Sequence, residues 1–198
     1  METAKAIDHA IMRRIQKDEF PAFEELVDRY KSRLVNLIYR MLSDQNEAED
    51  LVQETFLRVW THRQDYDFSY CLSTWVYTIA LNLAKNELRK RRRFKFFSIS
   101  EMTEKGLELP DPKMGPSALG HLLEGAISCL PTKYKAAFLL RDVEQLPYED
   151  VAQILGVPLG TVKSRVNRAR SVLKNELKPK LEQTRALSES SLVPVRSM

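Results

Sequence analysis

Apolar positions recur at intervals of three and four residues in nearly every segment of this chain, while alternating strand-like patterns are absent or short. The periodicity predicts an all-α protein with helices over residues 21–42, 46–62, 73–93, 116–129, 132–143, 148–155 and 159–177. It breaks between Phe94 and Gly115, where FKFFSISEMTEKGLELPDPKMG carries no sustained helical stripe. Two small helical domains, 1–95 and 117–182, are therefore expected, joined by a flexible linker at 96–116. Residues 183–198 are Ser-rich and aperiodic, and read as a disordered tail. No internal repeat is visible.

The sharpest local pattern is LPYEDVAQILGVPLGTVKSRVNRARSVL, Leu146 to Leu173. A short helix opens at Pro147, with Glu149 and Asp150 favoured by the positive end of the helix dipole, and Val151, Ala152, Ile154 and Leu155 are its apolar set. Gly156 supplies the permissive backbone of a sharp exit, and Pro158 suits the start of the next helix. At about 100° per residue, Val162, Val166, Ala169 and Leu173 form one narrow stripe, and Lys163, Ser164, Asn167, Arg168 and Ser171 fan across the opposite side. Arg165 and Arg170 flank that side, placed to reach phosphates on either wall of a groove whose base edges Lys163, Asn167 and Arg168 can read. Ala152, one turn before the glycine, permits close helix crossing. Val162, six positions after the glycine, packs the second helix back, as in a DNA-reading helix-turn-helix.

Composition narrows the class. A length of 198 residues with 43% hydrophobic content excludes disorder throughout, and the net charge of +4 is a small difference between local blocks of opposite sign. No apolar run approaches the roughly 18 residues of a membrane span, and METAKAIDHAIMRRIQKDEF is too charged for a signal-peptide core, so a cytoplasmic protein is expected. Cys71 and Cys129 belong to no CxxC pair and read as buried, reduced thiols. His9, His62 and His121 are scattered, and neither a metal site nor a cofactor is expected. No Gly-rich phosphate loop, GxSxG elbow or supported carboxylate constellation is present, which argues against an enzyme.

Two charge features mark the N-terminal half. The helix from about Glu47 to Trp60 has Asp44 as N-cap, with Glu47 completing a capping box, and buries Ala48, Leu51, Val52, Thr55, Phe56 and Val59. Its other face carries Glu47, Asp50, Gln53 and Glu54, with no basic residue before Arg58, and residue chemistry leaves it either a docking surface or a merely solvated one. The second feature is KNELRKRRRFK, Lys85 to Lys95, following a helix start rich in aromatics. Cations beside rings suit single-stranded DNA, whose phosphates the charges track while bases stack. Trp75, Ile79 and Leu83 are expected in the core, whereas Tyr70 and the loop from Asp67 to Ser73 lack that explanation.

In this order, these features resemble the bacterial RNA polymerase sigma factors of the sigma-70 family, in the small extracytoplasmic-function group. The resemblance rests on DLVQETFLRVW (Asp50 to Trp60), STWVYTIALNLAKNELRKRRR (Ser73 to Arg93), the Leu130–Pro131 pair and FLLRDVEQLPYEDVAQILGVPLGTVKSRVNRAR (Phe138 to Arg170). It implies two helical domains without catalytic residues, acting with core RNA polymerase, through the clamp helices of its largest subunit and its flap, and with promoter DNA. An anti-sigma partner is also implied. By position, Gln53 and Glu54, with Asp50 near them, would contact the clamp. Asn82 would lie near the non-template strand, with Lys85, Arg89 and Arg92 along the same minus-ten segment, and the loop holding Asp67, Phe68 and Tyr70 would receive a flipped base. Lys163, Ser164, Asn167 and Arg168 match the minus-thirty-five base-edge positions, and Asn167 departs from the bulky residue often found there.

A plain helix-turn-helix regulator, binding duplex DNA without polymerase, is the alternative, and it gives the acidic face and aromatic loop no role. The linker adds one expectation of its own. Between Ser98 and Pro112, Glu101, Glu104, Glu108 and Asp111 stand against Lys105 alone, which leaves this segment either an ordinary solvated spacer or one whose sign suits threading a positively lined polymerase channel.

Overall fold

A computed structural model describes residues 2–98 and 118–190, so the acidic stretch of the expected linker lies outside the described residues. Four helices form the first group: α1 (Glu2–Ile15), α2 (Phe20–Leu42), α3 (Gln45–Thr61) and α4 (Leu72–Ser98). Four more form the second: α5 (Ala118–Ser128), α6 (Thr132–Phe138), α7 (Tyr148–Leu155) and α8 (Leu159–Ser190). Among the described residues there is no strand, and no helix is long and apolar enough to cross a membrane.

The long α2 is the axis of the first group. It buries Ala22, Leu26, Tyr30, Leu34, Leu37, Ile38 and Met41 at the three-and-four spacing that puts side chains on one face. Ser43 ends it in the left-handed region at φ 56°, and its N–H returns to the Tyr39 carbonyl. Asp44 then caps α3, its carboxylate accepting the Glu47 N–H at 3.1 Å as the capping pattern predicts. Arg91 of α4 secures this corner by donating to the Leu42 carbonyl and the Asp44 carboxylate. One arginine of the basic run is thus structural.

Three elements differ from expectation. Helix α1 falls in a segment whose charge masks a short apolar set, Ile11, Met12 and Ile15, all at most 2% exposed. On α4 the deepest stripe is Leu72, Val76, Tyr77, Ala80, Leu81 and Ala84, while Trp75 and Ile79 pack at its edge, because α4 touches both α2 and α7 and buries a wider face than one four-residue row. Helix α8 continues through residues 184–190, into the stretch expected to be unstructured. Its Leu, Glu, Lys, Arg and Ala residues favour helix enough to carry it past Pro179. Cys71 is half-buried and Cys129 exposed, so the latter is not the buried thiol expected.

The two groups do not stand apart. Helix α7 packs against α4, while α5 and α6 touch α2, and the buried residues of both groups form one continuous cluster. The approach depends on a π turn, Leu139–Val143, where a continuation of α6 was expected. The Glu144 N–H bonds back to the Leu139 carbonyl, five residues earlier, and Gln145 takes a left-handed φ of 57°. This extra residue turns Glu144 inward, where it is 8% exposed. Its carboxylate accepts hydrogen bonds from Tyr77 of α4 and from Arg33 of α2, the latter at 2.9 Å. Nearby, Arg40 of α2 grips Glu124 of α5 through paired bonds of 3.0 and 2.7 Å.

Tyr30 and Tyr77 meet edge to face at 6.3 Å, and each donates to a carboxylate, Asp8 and Glu144 respectively. Burial and the adjacent negative charge hold both phenols protonated well beyond their ordinary range. Unfolded tyrosines ionise near pH 10, so above that pH the folded state holds more protons and stability must fall, by up to about 1.4 kcal/mol per pH unit for each retained phenol. An alkaline titration should show these two of the seven tyrosines, together with Tyr66, whose phenol burial also raises, ionising only as the fold is lost. Reversible ionisation of all seven in the folded state would contradict the buried pairing.

Candidate nucleic-acid interface

Helices α7 and α8 meet through a turn set by Gly156 at φ 64° and by the Val157 N–H bonding back to the Ala152 carbonyl at 3.1 Å. Pro158 opens α8, its carbonyl accepting the Thr161 and Val162 N–H groups. Val162, Val166 and Ala169 are fully buried and Leu173 is 5% exposed, so the expected inner stripe is the inner stripe of the structure. Opposite it, Lys163, Ser164, Asn167 and Arg168 are exposed on one face. The Ser164 hydroxyl donates to the Thr161 carbonyl, and the Arg168 guanidinium bonds the Tyr134 hydroxyl at 3.1 Å, drawing that phenol's pKa down.

The two arginines expected to flank this face have different environments. Arg170 forks onto both carboxylate oxygens of Asp142, which ties α8 to the π turn that follows α6. Arg165 is half-buried and lies near Lys85 of α4. Burial draws the Lys85 ammonium's pKa down, and repulsion from Arg89 and Arg165 adds to the effect. Asn82, Lys85, Arg89 and Arg92 fall three, four and three positions apart, a single stripe of α4, and all but the half-buried Lys85 are exposed. The basic side of α4 and the recognition helix therefore converge.

At the N-terminal end of α4 lies the aromatic loop. Tyr66 is buried, with its ring centroid 4.9 Å from Phe68 and 5.2 Å from Trp75, and its hydroxyl donates to the Tyr70 carbonyl at 2.8 Å. Asp67 accepts the Ser69 N–H at 2.8 Å, which lowers its pKa and makes it a brace of the turn. Tyr70 is exposed.

On α3, Asp50 and Gln53 are exposed, while Glu54 pairs with Arg58 at 2.8 Å one turn on. Beside them runs an apolar groove lined by Phe20, Phe23, Phe56, Leu57, Trp60 and Gln53. Phe20 and Leu57 are 56% and 58% exposed. Sequence reasoning assigned Phe56 to the core and gave the groove no place. Its signal was present in the aromatics at Phe20 and Phe23, just outside the polar face of α3.

A helix-turn-helix on one helical group and a basic, aromatic-edged helix on the other define a two-part, all-helical DNA-binding protein. The Sigma-70 region 2 family matches residues 26–94 and the Sigma-70, region 4 family matches residues 121–173. The chain is 31% identical to the ECF RNA polymerase sigma factor SigW of Bacillus subtilis over 84% of its own length and 95% of that protein. It is 34% identical to the ECF RNA polymerase sigma-E factor of Haemophilus influenzae over 87% of its length and 96% of the other. The sigma factor RpoE of Bartonella quintana, solved in complex with the anti-sigma factor NepR, superposes with a TM-score of 0.67 at 30% identity, over 79% of this chain and 96% of that one. The chain belongs to the sigma-70 family, in its extracytoplasmic-function group of RNA polymerase sigma factors.

The arginines of α8 should separate by role. Arg170→Ala should lower folding stability by up to about 1 kcal/mol, because the pair it loses is half-exposed and screened. Lys163→Ala and Arg168→Ala should leave the thermal melting temperature essentially unmoved. Equal shifts in all three variants would mean that the Asp142 pair holds nothing.

Proposed function

We propose that this chain directs promoter-specific initiation by a core RNA polymerase, with three surfaces acting in concert. The exposed side of α3, Asp50, Gln53 and Glu54, docks on the clamp helices of the largest subunit, and the groove that Gln53 lines extends this contact with apolar area. Helix α8 enters the major groove of the minus-thirty-five element, where Lys163, Ser164, Asn167 and Arg168 face base edges. Arg165 reaches its phosphates, while Arg170, expected to do the same, is held on Asp142 and braces the helix. In the first domain the stripe Asn82, Lys85, Arg89 and Arg92 follows the non-template strand, and the loop with Asp67, Phe68 and Tyr70 receives an unpaired base.

The observation that carries this reading is a second exposed basic stripe, on α4 beside an aromatic loop, joined in one chain to a complete helix-turn-helix. A duplex-binding regulator needs only the latter. Promoter opening is driven by capture of unpaired bases rather than by ATP, and the chain contributes no covalent chemistry of its own. The first domain spans residues 1–95 and the second 117–182. The protein works in the cytoplasm, and an anti-sigma partner that covers these surfaces controls it, as the complex of the Bartonella quintana relative suggests.

Purified chain added to core polymerase should give transcripts from a cognate promoter, and DNA binding that needs no polymerase and yields no transcript would favour the regulator instead. Arg168→Ala or Lys163→Ala should cost about 1 to 3 kcal/mol on promoter DNA and relax preference at one minus-thirty-five position, whereas Arg165→Ala should weaken all sequences alike. An unchanged sequence preference in all of these variants would reject the reading face. The double variant Gln53→Ala, Glu54→Lys should lose core polymerase in a pull-down while retaining its helix content. Wild-type retention of polymerase would remove the clamp-docking surface.

A further inference from the structure

Helix α1 lies wholly ahead of residue 26, where the region 2 match begins, yet it packs against both α2 and α4. Its inner face is Asp8, Ile11, Met12 and Ile15, the i, i+3, i+4, i+7 pattern of one helix side, and all four are buried. Asp8 accepts the Tyr30 hydroxyl at 2.9 Å and pairs with Arg29 at 3.3 Å. At the other end, Gln16 donates to the Arg63 carbonyl at 2.9 Å and accepts from Gln64 at 2.8 Å. These anchors fix the rotation of α1 and therefore where its flank points.

That flank carries His9 and Arg13, one turn apart, and both meet the aromatic loop. The His9 Nε2 is 3.1 Å from the Tyr70 carbonyl, the same oxygen that accepts the Tyr66 hydroxyl, and the imidazole meets Phe68 edge-on with centroids 5.4 Å apart. The Arg13 guanidinium lies over the Phe68 ring, 5.3 Å from its centroid. Arg14, the next residue, is held by Glu19 and Glu25, whereas Arg13 is exposed and has no carboxylate partner among the described residues. An unpaired guanidinium held by a ring at the rim of a loop with an exposed tyrosine has the chemistry of a phosphate contact beside a stacking surface.

We infer that α1 is part of the single-stranded DNA site: His9 is a positioning residue that fixes the Tyr70 backbone, and Arg13 contacts a phosphate of the strand whose base enters the loop. The inference rests on the proposed minus-ten role of that loop. A surface helix packed for stability alone would need the inner face of α1 but neither of these two side chains.

The test uses the full chain bound to core polymerase and non-template-strand oligonucleotides from a promoter that the complex transcribes, with single abasic positions scanned through the minus-ten element. Tyr70→Ala calibrates the loop by abolishing the penalty at the abasic position that reports the captured base. Arg13→Gln should weaken the intact oligonucleotide about 3- to 10-fold and reduce the salt slope by about 0.7, the value for one phosphate on a single strand, while Arg13→Lys keeps the slope. His9→Ala should weaken binding about 2- to 10-fold, the range for one hydrogen bond, and flatten the abasic penalty at the position that Tyr70→Ala identifies. His9→Gln, whose amide can donate to the same carbonyl, should restore both. Core affinity and minus-thirty-five duplex affinity should be unchanged in these variants, which separates the effect from loss of fold.

If Tyr70→Ala alters no abasic position, the minus-ten reading of the loop fails and the α1 inference falls with it. If Tyr70→Ala acts but His9→Ala keeps the wild-type scan, or Arg13→Gln the wild-type salt slope, the role given to that residue is overturned while the loop assignment stands.

Discussion

A carboxylate taken out of water is costly unless its charge is met by donors in good geometry, and Glu144 is the point where this chain accepts that cost. The π turn and the left-handed Gln145 exist in the structure to aim one side chain inward, and the neighbouring group supplies what it needs. Tyr77 donates from a fully buried ring, and Arg33 donates through Nε to the carboxylate and through a second nitrogen to the Glu144 carbonyl. From Tyr77 the contacts continue through the ring of Tyr30 to Asp8 on α1. One buried acid thereby relates the π turn ahead of the helix-turn-helix, the axis of the first group and its N-terminal helix. Apolar packing alone, being non-directional, would not specify that register.

The same register sets like charges against each other. Lys85 and Arg165, from the two surfaces proposed to hold different parts of one promoter, lie close enough that Arg165 adds its repulsion to burial and Arg89 in lowering the lysine's pKa. With no polyanion between them, that repulsion opposes the arrangement, and the pairs Glu144–Arg33 and Arg40–Glu124 work against it. Salt acts on both, but unequally. Glu144 is screened little because its carboxylate is buried, whereas the pairing at Glu124 is more exposed and weakens sooner. The relation between the two groups is thus a balance of opposing charge terms superposed on a continuous apolar core.

What could be read in the sequence was whatever a short window decides. The stripe Val162, Val166, Ala169 and Leu173, the turn at Gly156 and the Asp44 cap are local, and each stands in the structure as the pattern requires. Helix α1 was missed because its apolar set is short and is completed by Asp8, a polar residue whose burial depends on Tyr30 and Arg29, more than twenty positions away. The π turn was missed for a related reason: Leu139 to Val143 has ordinary helical composition, and the extra residue is specified by where Glu144 finds its donors. The groove beside Gln53 is assembled from the starts of α2 and the outer side of α3, and neither segment carries it alone.

The candidate sites show the same division in the arginines. By composition the basic residues of this chain are equivalent, and a charge run near aromatics points to nucleic acid without saying which members do the pointing. Tertiary structure sorts them by their partners. Arg91 is committed to the corner between α2 and α3, Arg14 to Glu19 and Glu25, Arg63 to Asp18 and Arg170 to Asp142, so part of their hydrogen-bonding capacity is already used. Arg13, Arg92 and Lys163 have no carboxylate partner among the described residues and are exposed, and a guanidinium or ammonium in that condition can exchange its water for a phosphate or a base edge without first breaking an ion pair. Partner status, more than position in a basic run, is therefore the property by which a cation here qualifies for DNA, and only the folded chain displays it.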